Sequence, residues 1–370
     1  MTALRQVLND ETLDAQLRRD GFAVIPLLEA SEVERLRRAY WEHPPEETRG
    51  MVVDYMFRDR AAMHRTRALA EPLFRLHGPE HFADQRLVLA TFAVKHPGGS
   101  ESAFFLHDDR SYVDESRFRT TTVWIPLVDV GPGRDNGGLQ VVPRSHHLPT
   151  GLAGSLTPDL IRPYERSLRS QLVQPSVRAG EALVYDTRVL HASPENRSDQ
   201  ARVALALALA PKEADLLHVV ATGRRHRRVH AIDETFFLDH HVRDVEASVD
   251  PHYPVVEEYD DHHELTPTEV ADVLGGPVPE KLVVLPGDLN EHTDPASLHP
   301  PPTHVLSVQP AATDLAIMAG HLAGSGEPIV TMSVSGGAAA SHQGVRRALR
   351  STHGGPIGSV IERAPIPRSA

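Results

Sequence analysis

Between Arg86 and Pro211 six short apolar or alternating runs follow one another: "RLVLATFAVK", "SAFFLH", "TTTVWIPLVDV", "GLQVVP", "EALVYD" and "RVALALALA". Turn residues separate them. Their length, spacing and Gly/Pro punctuation predict antiparallel strands closed into a barrel or double sheet of jelly-roll type, and this block is expected to hold the main core. Ahead of it, Leu4, Leu8, Leu13 and Leu17 recur at roughly helical spacing and lead into the strand-like "DGFAVIPLL". A second helix is expected over "EASEVERLRRAYWEH", with Ser31 as N-cap and Glu34 completing a capping box.

Beyond Pro211 the chain turns rich in charge, proline and histidine, which predicts irregular, surface-covering structure; Thr266, Pro267 and Glu269 signal one further helix. In the last stretch "KLVVL", "HVLSV" and "PIVTMSVS" read as strands and "TDLAIMAGHLAG" and "SHQGVRRALR" as helices. That is a small βαβ pattern unlike the preceding sheet. The predicted organisation is therefore mainly β with flanking helices: a core over residues 1–211, a covering or linking segment over 212–279, and a small α/β extension over 280–370.

With no cysteine in the chain, a metal must be held by imidazole and carboxylate. The formal net charge of −12 repels phosphate backbones and argues against a nucleic-acid partner. The single dense basic run, "GRRHRRVH", reads as a solvated face. The charges interleaved through the first residues are incompatible with a signal peptide or a membrane span, so a cytoplasmic protein without membrane contact is expected.

The stretch "SAFFLHDDRSYVDE" places a histidine and two aspartates directly after an apolar run. Residues two apart on an extended segment point the same way, so His107 and Asp109 can face one point while Asp108 faces the other side. His191, between two later strand-like runs, is the expected third ligand. Two neutral imidazoles and a carboxylate leave the opposite face of a metal open, which suits non-haem Fe(II); the same set also holds Zn(II) or Mn(II). Two other readings therefore stay open at this point, a Zn/Mn hydrolase using the same triad and a non-catalytic binding protein that kept the barrel. The discriminating residue is Arg202, at the start of "RVALALALA": a guanidinium fork suits the distal carboxylate of a 2-oxoglutarate cosubstrate and has no task in a hydrolase.

From the N terminus to about Pro211 the chain resembles the phytanoyl-CoA hydroxylase family of Fe(II)/2-oxoglutarate oxygenases. The resemblance rests on "LRRDGFAVIPLLEASEVERLR", on "VKHPGGSESAFFLHDDRSY" with its HxD motif and Tyr112, and on "TVWIPLVDVGPGRDNGGLQVVPRSHH" with Trp124, Asn136, Gly137, Pro143, Ser145 and His146. It rests also on "HASPENRSDQAR", which carries His191, Ser193, Asn196, Ser198 and Arg202 in order; a departure is Arg144, where the family usually has glycine. The resemblance implies a double-stranded β-helix with Fe(II) at its mouth, O2 as second cosubstrate, and 2-oxoglutarate on Arg202 and Ser193. Lys95 and Thr121 are placed where they could also reach the cosubstrate. Family halogenases lack the carboxylate ligand, so Asp109 implies oxygenation. The implied reaction yields succinate and CO2 and oxidises a small specialised metabolite, as in antibiotic biosynthesis; hydroxylation is the default over desaturation, ring closure or epimerisation.

His146 and His147 are expected in a turn, and the pairs His240/His241 and His262/His263 are poor chelates because adjacent residues point apart. The tail from "HVLSVQPAATDLAIMAGHLAG" onward resembles, at a lower level, the opening of the zinc-dependent sugar de-N-acetylases (LmbE-like). Gln309, Pro310, Ala311 and Ala312 stand where that family has its zinc motif. This implies a vestigial module without hydrolase activity, expected to serve in packing or homodimerisation.

Overall fold

Helix α1 (Glu11–Asp20) starts at Asp10, whose carboxylate accepts from the Thr12 and Leu13 N–H groups, and stops at Gly21 in the left-handed region at φ +87°. The computed structural model describes residues 5–45, 49–56, 60–223, 225–240, 252–275, 283–286 and 305–308. Gly21 also allows a close approach, since a Cβ there would lie 2.5 Å from His146 Nδ1 and from a Val189 methyl. The chain then enters strand β1 (Phe22–Pro26).

Helix α2 (Ala30–Glu42) begins earlier than Ser31 would allow: Glu29 is the N-cap, and Glu32 accepts from its N–H at 2.9 Å. The reason lies just upstream, where the N–H groups of Leu27 and Leu28 both bond the Gly180 carbonyl and bring the chain off the sheet directly at Glu29. Helix α3 (Arg60–His81), not anticipated from the sequence, packs Ala70 and Leu73 into the same core.

The remaining strands are β2 (Met51–Val53), β3 (Gln85–Lys95), β4 (Phe104–His107), β5 (Thr121–Pro126), β6 (Gln140–Val141), β7 (Glu181–Asp186), β8 (His191–Ser193) and β9 (Arg202–Pro211). They form a six-stranded sheet in the order β1-β7-β5-β9-β3-β2 and a three-stranded sheet in the order β4-β8-β6, with antiparallel neighbours throughout. This is the jelly-roll core expected from the strand-like runs.

Strand β9 explains how the core is both packed and hollow. Val203, Leu205, Leu207 and Leu209 point to the helix side, where Leu17, Val33, Leu36, Tyr40 and Leu73 meet them. Burying each such leucine contributes about 1.5–3 kcal/mol. The alternate residues Ala204, Ala206 and Ala208 face the other way, and Arg202 starts that row. Small side chains on this face leave space between the two sheets.

After Pro211 the structure departs from the irregular cover that was expected. Strands β10 (Leu216–Ala221), β11 (His226–Ile232) and β12 (Val255–Asp260) form an antiparallel sheet, joined by the short helix α5 (Phe236–Asp239). Val219, Val220 and Val229 are buried, so the segment has apolar alternation that its charge and histidine content masked. The basic run lies largely on β11, where Arg227 is buried and Arg228 pairs with Glu258. Helix α6 (Pro267–Leu274) begins where the proline signal placed it, and α4 (Glu165–Arg169) is a short turn of helix.

The chain divides into two compact units, one of Met1–Ile161, Glu165–Leu265 and Glu269–Gly276, the other of Arg162–Tyr164, Thr266–Thr268 and Pro277–Ala370. In the second, β13 (Val283–Pro286) pairs in parallel with β14 (Val305–Val308), matching the first two strands expected there. The expected helices and third strand, the Gln309–Ala312 site of the de-N-acetylase resemblance and the dimer contact fall outside the described residues.

Candidate active site between the two sheets

The three-stranded sheet carries both histidines. His107 ends β4 and His191 begins β8, they stand opposite each other in register, and their rings lie 4.1 Å apart. Asp109 follows β4 and is held by its own N–H on the Thr187 carbonyl at 2.8 Å. One nitrogen or oxygen from each of His107, Asp109 and His191 lies within 4.8 Å of the other two, and no other such group of three occurs among the described residues.

Supporting contacts fix which atoms face inward. The Nδ1 atoms of His107 and His191 lie 2.9 Å from the carbonyls of Phe105 and Val189. A carbonyl only accepts, so each Nδ1 carries the proton and each Nε2 keeps its lone pair for the cluster. Asp109 Oδ2 accepts from the Thr122 hydroxyl at 2.7 Å and the Tyr185 hydroxyl at 3.1 Å. Oδ1 remains, 3.7 Å from His191 Nε2 and 4.0 Å from His107 Nε2. Burial, and then His191 beside it, lowers the His107 pKa to about 4, which keeps the ring neutral and able to ligate.

The cluster lines a cavity of about 110 Å³, room for several water molecules, bounded by both sheets. Arg202 lines it as well. Its residue is 1% exposed, its Nη1 donates to the Ala93 carbonyl at 3.0 Å, and its guanidinium sits 5.2 Å above the Trp124 ring. Its Nε has no hydrogen-bond partner and it forms no ion pair among the described residues. Burial alone pulls its pKa down to about 9. A buried arginine without an acid is costly unless a ligand supplies the anion.

Ser193 also lines the cavity, whereas Lys95, directly across from Arg202 on β3, is fully buried and donates to the carbonyls of Ser193 (3.0 Å) and Pro194 (2.5 Å). Burial, then the Arg202 charge, lowers the Lys95 pKa to about 6. Thr121 does not reach the cavity. It stands opposite Leu209, on the helix-facing side of β5, and its hydroxyl is buried without a partner among the described residues. Thr122 is the threonine that faces inward. Tyr185 and Thr122 were not singled out from sequence, and parity counted from Trp124 along β5 is the signal that would have found Thr122.

His146 lies in the Ser145–His147 turn with Nε2 3.0 Å from the Arg18 carbonyl, and neither His240 nor the pair at 262–263 joins a metal-binding group among the described residues. The model of the phytanoyl-CoA dioxygenase (PhyH) family matches residues 17–204, just over half of the chain and every strand of the two sheets except most of β9.

The chain belongs to the PhyH family.

It is accordingly a 2-oxoglutarate-dependent non-haem iron oxygenase, whose cofactors are Fe(II), 2-oxoglutarate and O2. The donor set suits that metal, and the acid-free Arg202 suits the cosubstrate's carboxylate. Among solved structures, the PhyH chain is similar to the non-haem alpha ketoglutarate dependent carbocyclase SnoK from nogalamycin biosynthesis, at 24% identity and TM-score 0.41 over 56% of this chain and 86% of that one. It is similar to HygX from Streptomyces hygroscopicus with nickel and 2-oxoglutarate bound, at 19% identity and TM-score 0.40 over 55% and 87%. A third is the epimerase SnoN in complex with Fe3+, alpha ketoglutarate and nogalamycin RO, at 28% identity and TM-score 0.38 over 58% and 86%. No curated protein matches the chain in sequence. Among the described residues no helix is long and apolar enough to cross a membrane.

Proposed function

We propose that the protein hydroxylates a small specialised metabolite, with His107, Asp109 and His191 as the iron ligands and Arg202, flanked by Ser193, as the clamp on the distal carboxylate of 2-oxoglutarate. The observation that carries this reading is one cavity holding both a triad with its lone pairs turned inward and a buried arginine without an acid partner among the described residues. Held by these three ligands, iron would supply the activation of O2, one oxygen atom of which would end in succinate as CO2 leaves and the other in the hydroxylated product.

The protein's residues bind and orient. The Phe105 and Val189 carbonyls hold the imidazole tautomers, and Thr122 and Tyr185 hold Asp109 so that a single oxygen faces the metal. Trp124 carries the Arg202 guanidinium on its face, and the alanine row of β9 leaves the cosubstrate room. Lys95 acts as a positioning residue, tying the end of β8 to β3 through the Ser193 and Pro194 carbonyls. We place this catalytic core in the first compact unit and read residues 280–370 as a separate extension.

The test is anaerobic titration of the Fe(II)-loaded protein with 2-oxoglutarate, following the visible metal-to-ligand charge-transfer band. The band is expected in the native protein, absent in His191→Ala, and shifted to higher 2-oxoglutarate concentration in Arg202→Met with iron still bound. Iron binding without a band would overturn the reading.

A further inference from the structure

We propose that Arg110 selects the primary substrate, and that this substrate is a small acid: an apolar or aromatic body bearing one oxyanion group, a carboxylate or a phosphate. The inference rests on the reading of the cavity as the iron and cosubstrate site.

Arg110 immediately follows Asp109 and lines the same cavity. One contact fixes it, from Nη1 to the Ser155 hydroxyl at 2.6 Å. Ser155 is fully buried, and its backbone bonds Val219 and Ala221 of β10, so the anchor sits on a regular element. That hydroxyl is a neutral partner. Among the described residues no carboxylate pairs with Arg110, and its other guanidinium nitrogens make no hydrogen bond. Asp109 does not pair with it: one oxygen accepts from Thr122 and Tyr185, and the other faces the proposed metal position between His107 and His191. A fork-shaped cation held from one side presents its remaining donors to whatever fills the cavity.

Its position separates it from the cosubstrate clamp. Arg110 acts electrostatically on the hydroxyls of Tyr55 and Tyr112, which pack with Leu89, Ala208 and Phe237 in one apolar cluster. Arg202 instead keeps company with Ala93, Trp124 and Lys95. Arg202 and Ala208 are six positions apart on one strand, about 20 Å at ordinary strand rise. The two arginines thus serve different ends of the cavity, and an anion held by one is not the anion held by the other. At the Arg110 end the walls are aromatic and aliphatic, so the recognised molecule couples a flat or apolar body to a single charged group.

The experiment uses ligand-observed NMR on the full chain loaded with Zn(II) and saturating 2-oxoglutarate, with benzoate, phenyl phosphate and benzamide as probes of equal body and different charge. One anionic probe is expected to bind at least about tenfold more tightly than benzamide, the range of a charged hydrogen-bond pair. Which one does so decides between carboxylate and phosphate. Arg110→Gln should reduce that preference to near unity while benzamide binding and 2-oxoglutarate binding persist; Arg110→Met, which keeps the apolar stem, makes the same test should the glutamine variant not fold. Equal binding of all three probes by the native protein, or an undiminished preference in the variants, overturns the proposal alone. Failure of the native protein to bind 2-oxoglutarate at all overturns the underlying reading of the cavity.

Discussion

In the proposed metal site, the two histidines and Asp109 are oriented by the atoms behind them. Thr122 bonds Asp109 Oδ2 at 2.7 Å, so Thr122→Val, nearly the same shape without the donor, should leave the fold intact and weaken Fe(II) affinity about 10- to 100-fold. A metal-competition titration against a chromophoric chelator measures this. Arg144 shows the same dependence on a single position from the side of stability. It occupies φ +68°, so the position where the family resemblance implies glycine carries a residue with a Cβ in the left-handed region. Arg144→Gly should relieve about 1 kcal/mol of backbone strain and raise Tm by about 2 °C, read by calorimetry.

Strand β9 divides its residues between two tasks by parity. Large side chains seal the helix side, and alanines hollow the other. Ala206→Leu puts three more carbons into a cavity of about 110 Å³. The variant should lose the 2-oxoglutarate charge-transfer band without a fall in Tm, because it fills space that the fold itself does not need. Much of this layout is legible in the sequence. Six punctuated runs gave the jelly roll, and HxD, a distant histidine and an arginine heading the next run pointed to the residues that line one cavity. What stayed hidden has physical causes. The threonines at 120, 121 and 122 carry the same side chain, so hydropathy cannot tell which of them faces the cavity; parity with Trp124, matched by the register opposite Ala208 and Leu209, separates Thr122 from Thr121. The sheet of β10 to β12 was masked by arginines and histidines that the fold buries, His218 and His230 standing opposite each other across two strands. Ordinary strand signals assume that such residues lie outside.

At the scale of the whole molecule, a chain of net charge −12 buries two basic side chains, Lys95 and Arg202, face to face with no acid paired to either among the described residues. The Lys95 pKa is lowered in the folded state to about 6. The unfolded chain therefore binds the extra proton between about pH 6 and the ordinary lysine value of 10.5, and stability rises with pH through that window. Relative to Lys95→Met, the protein free of 2-oxoglutarate should gain about 1.4 kcal/mol per pH unit there. A saturating dianion beside Lys95 should flatten the slope, and urea unfolding at a series of pH values with and without 2-oxoglutarate tests both. The pairing of β4 with β8 has a consequence in time as well as in space. Its two histidines are neighbours in the sheet but stand at positions 107 and 191 in the chain, so a ribosome delivers the second on the order of ten seconds after the first. Until that long loop closes, the nascent chain offers only two of the three proposed ligands, so on this ligand set a complete site exists only once the sheet has formed.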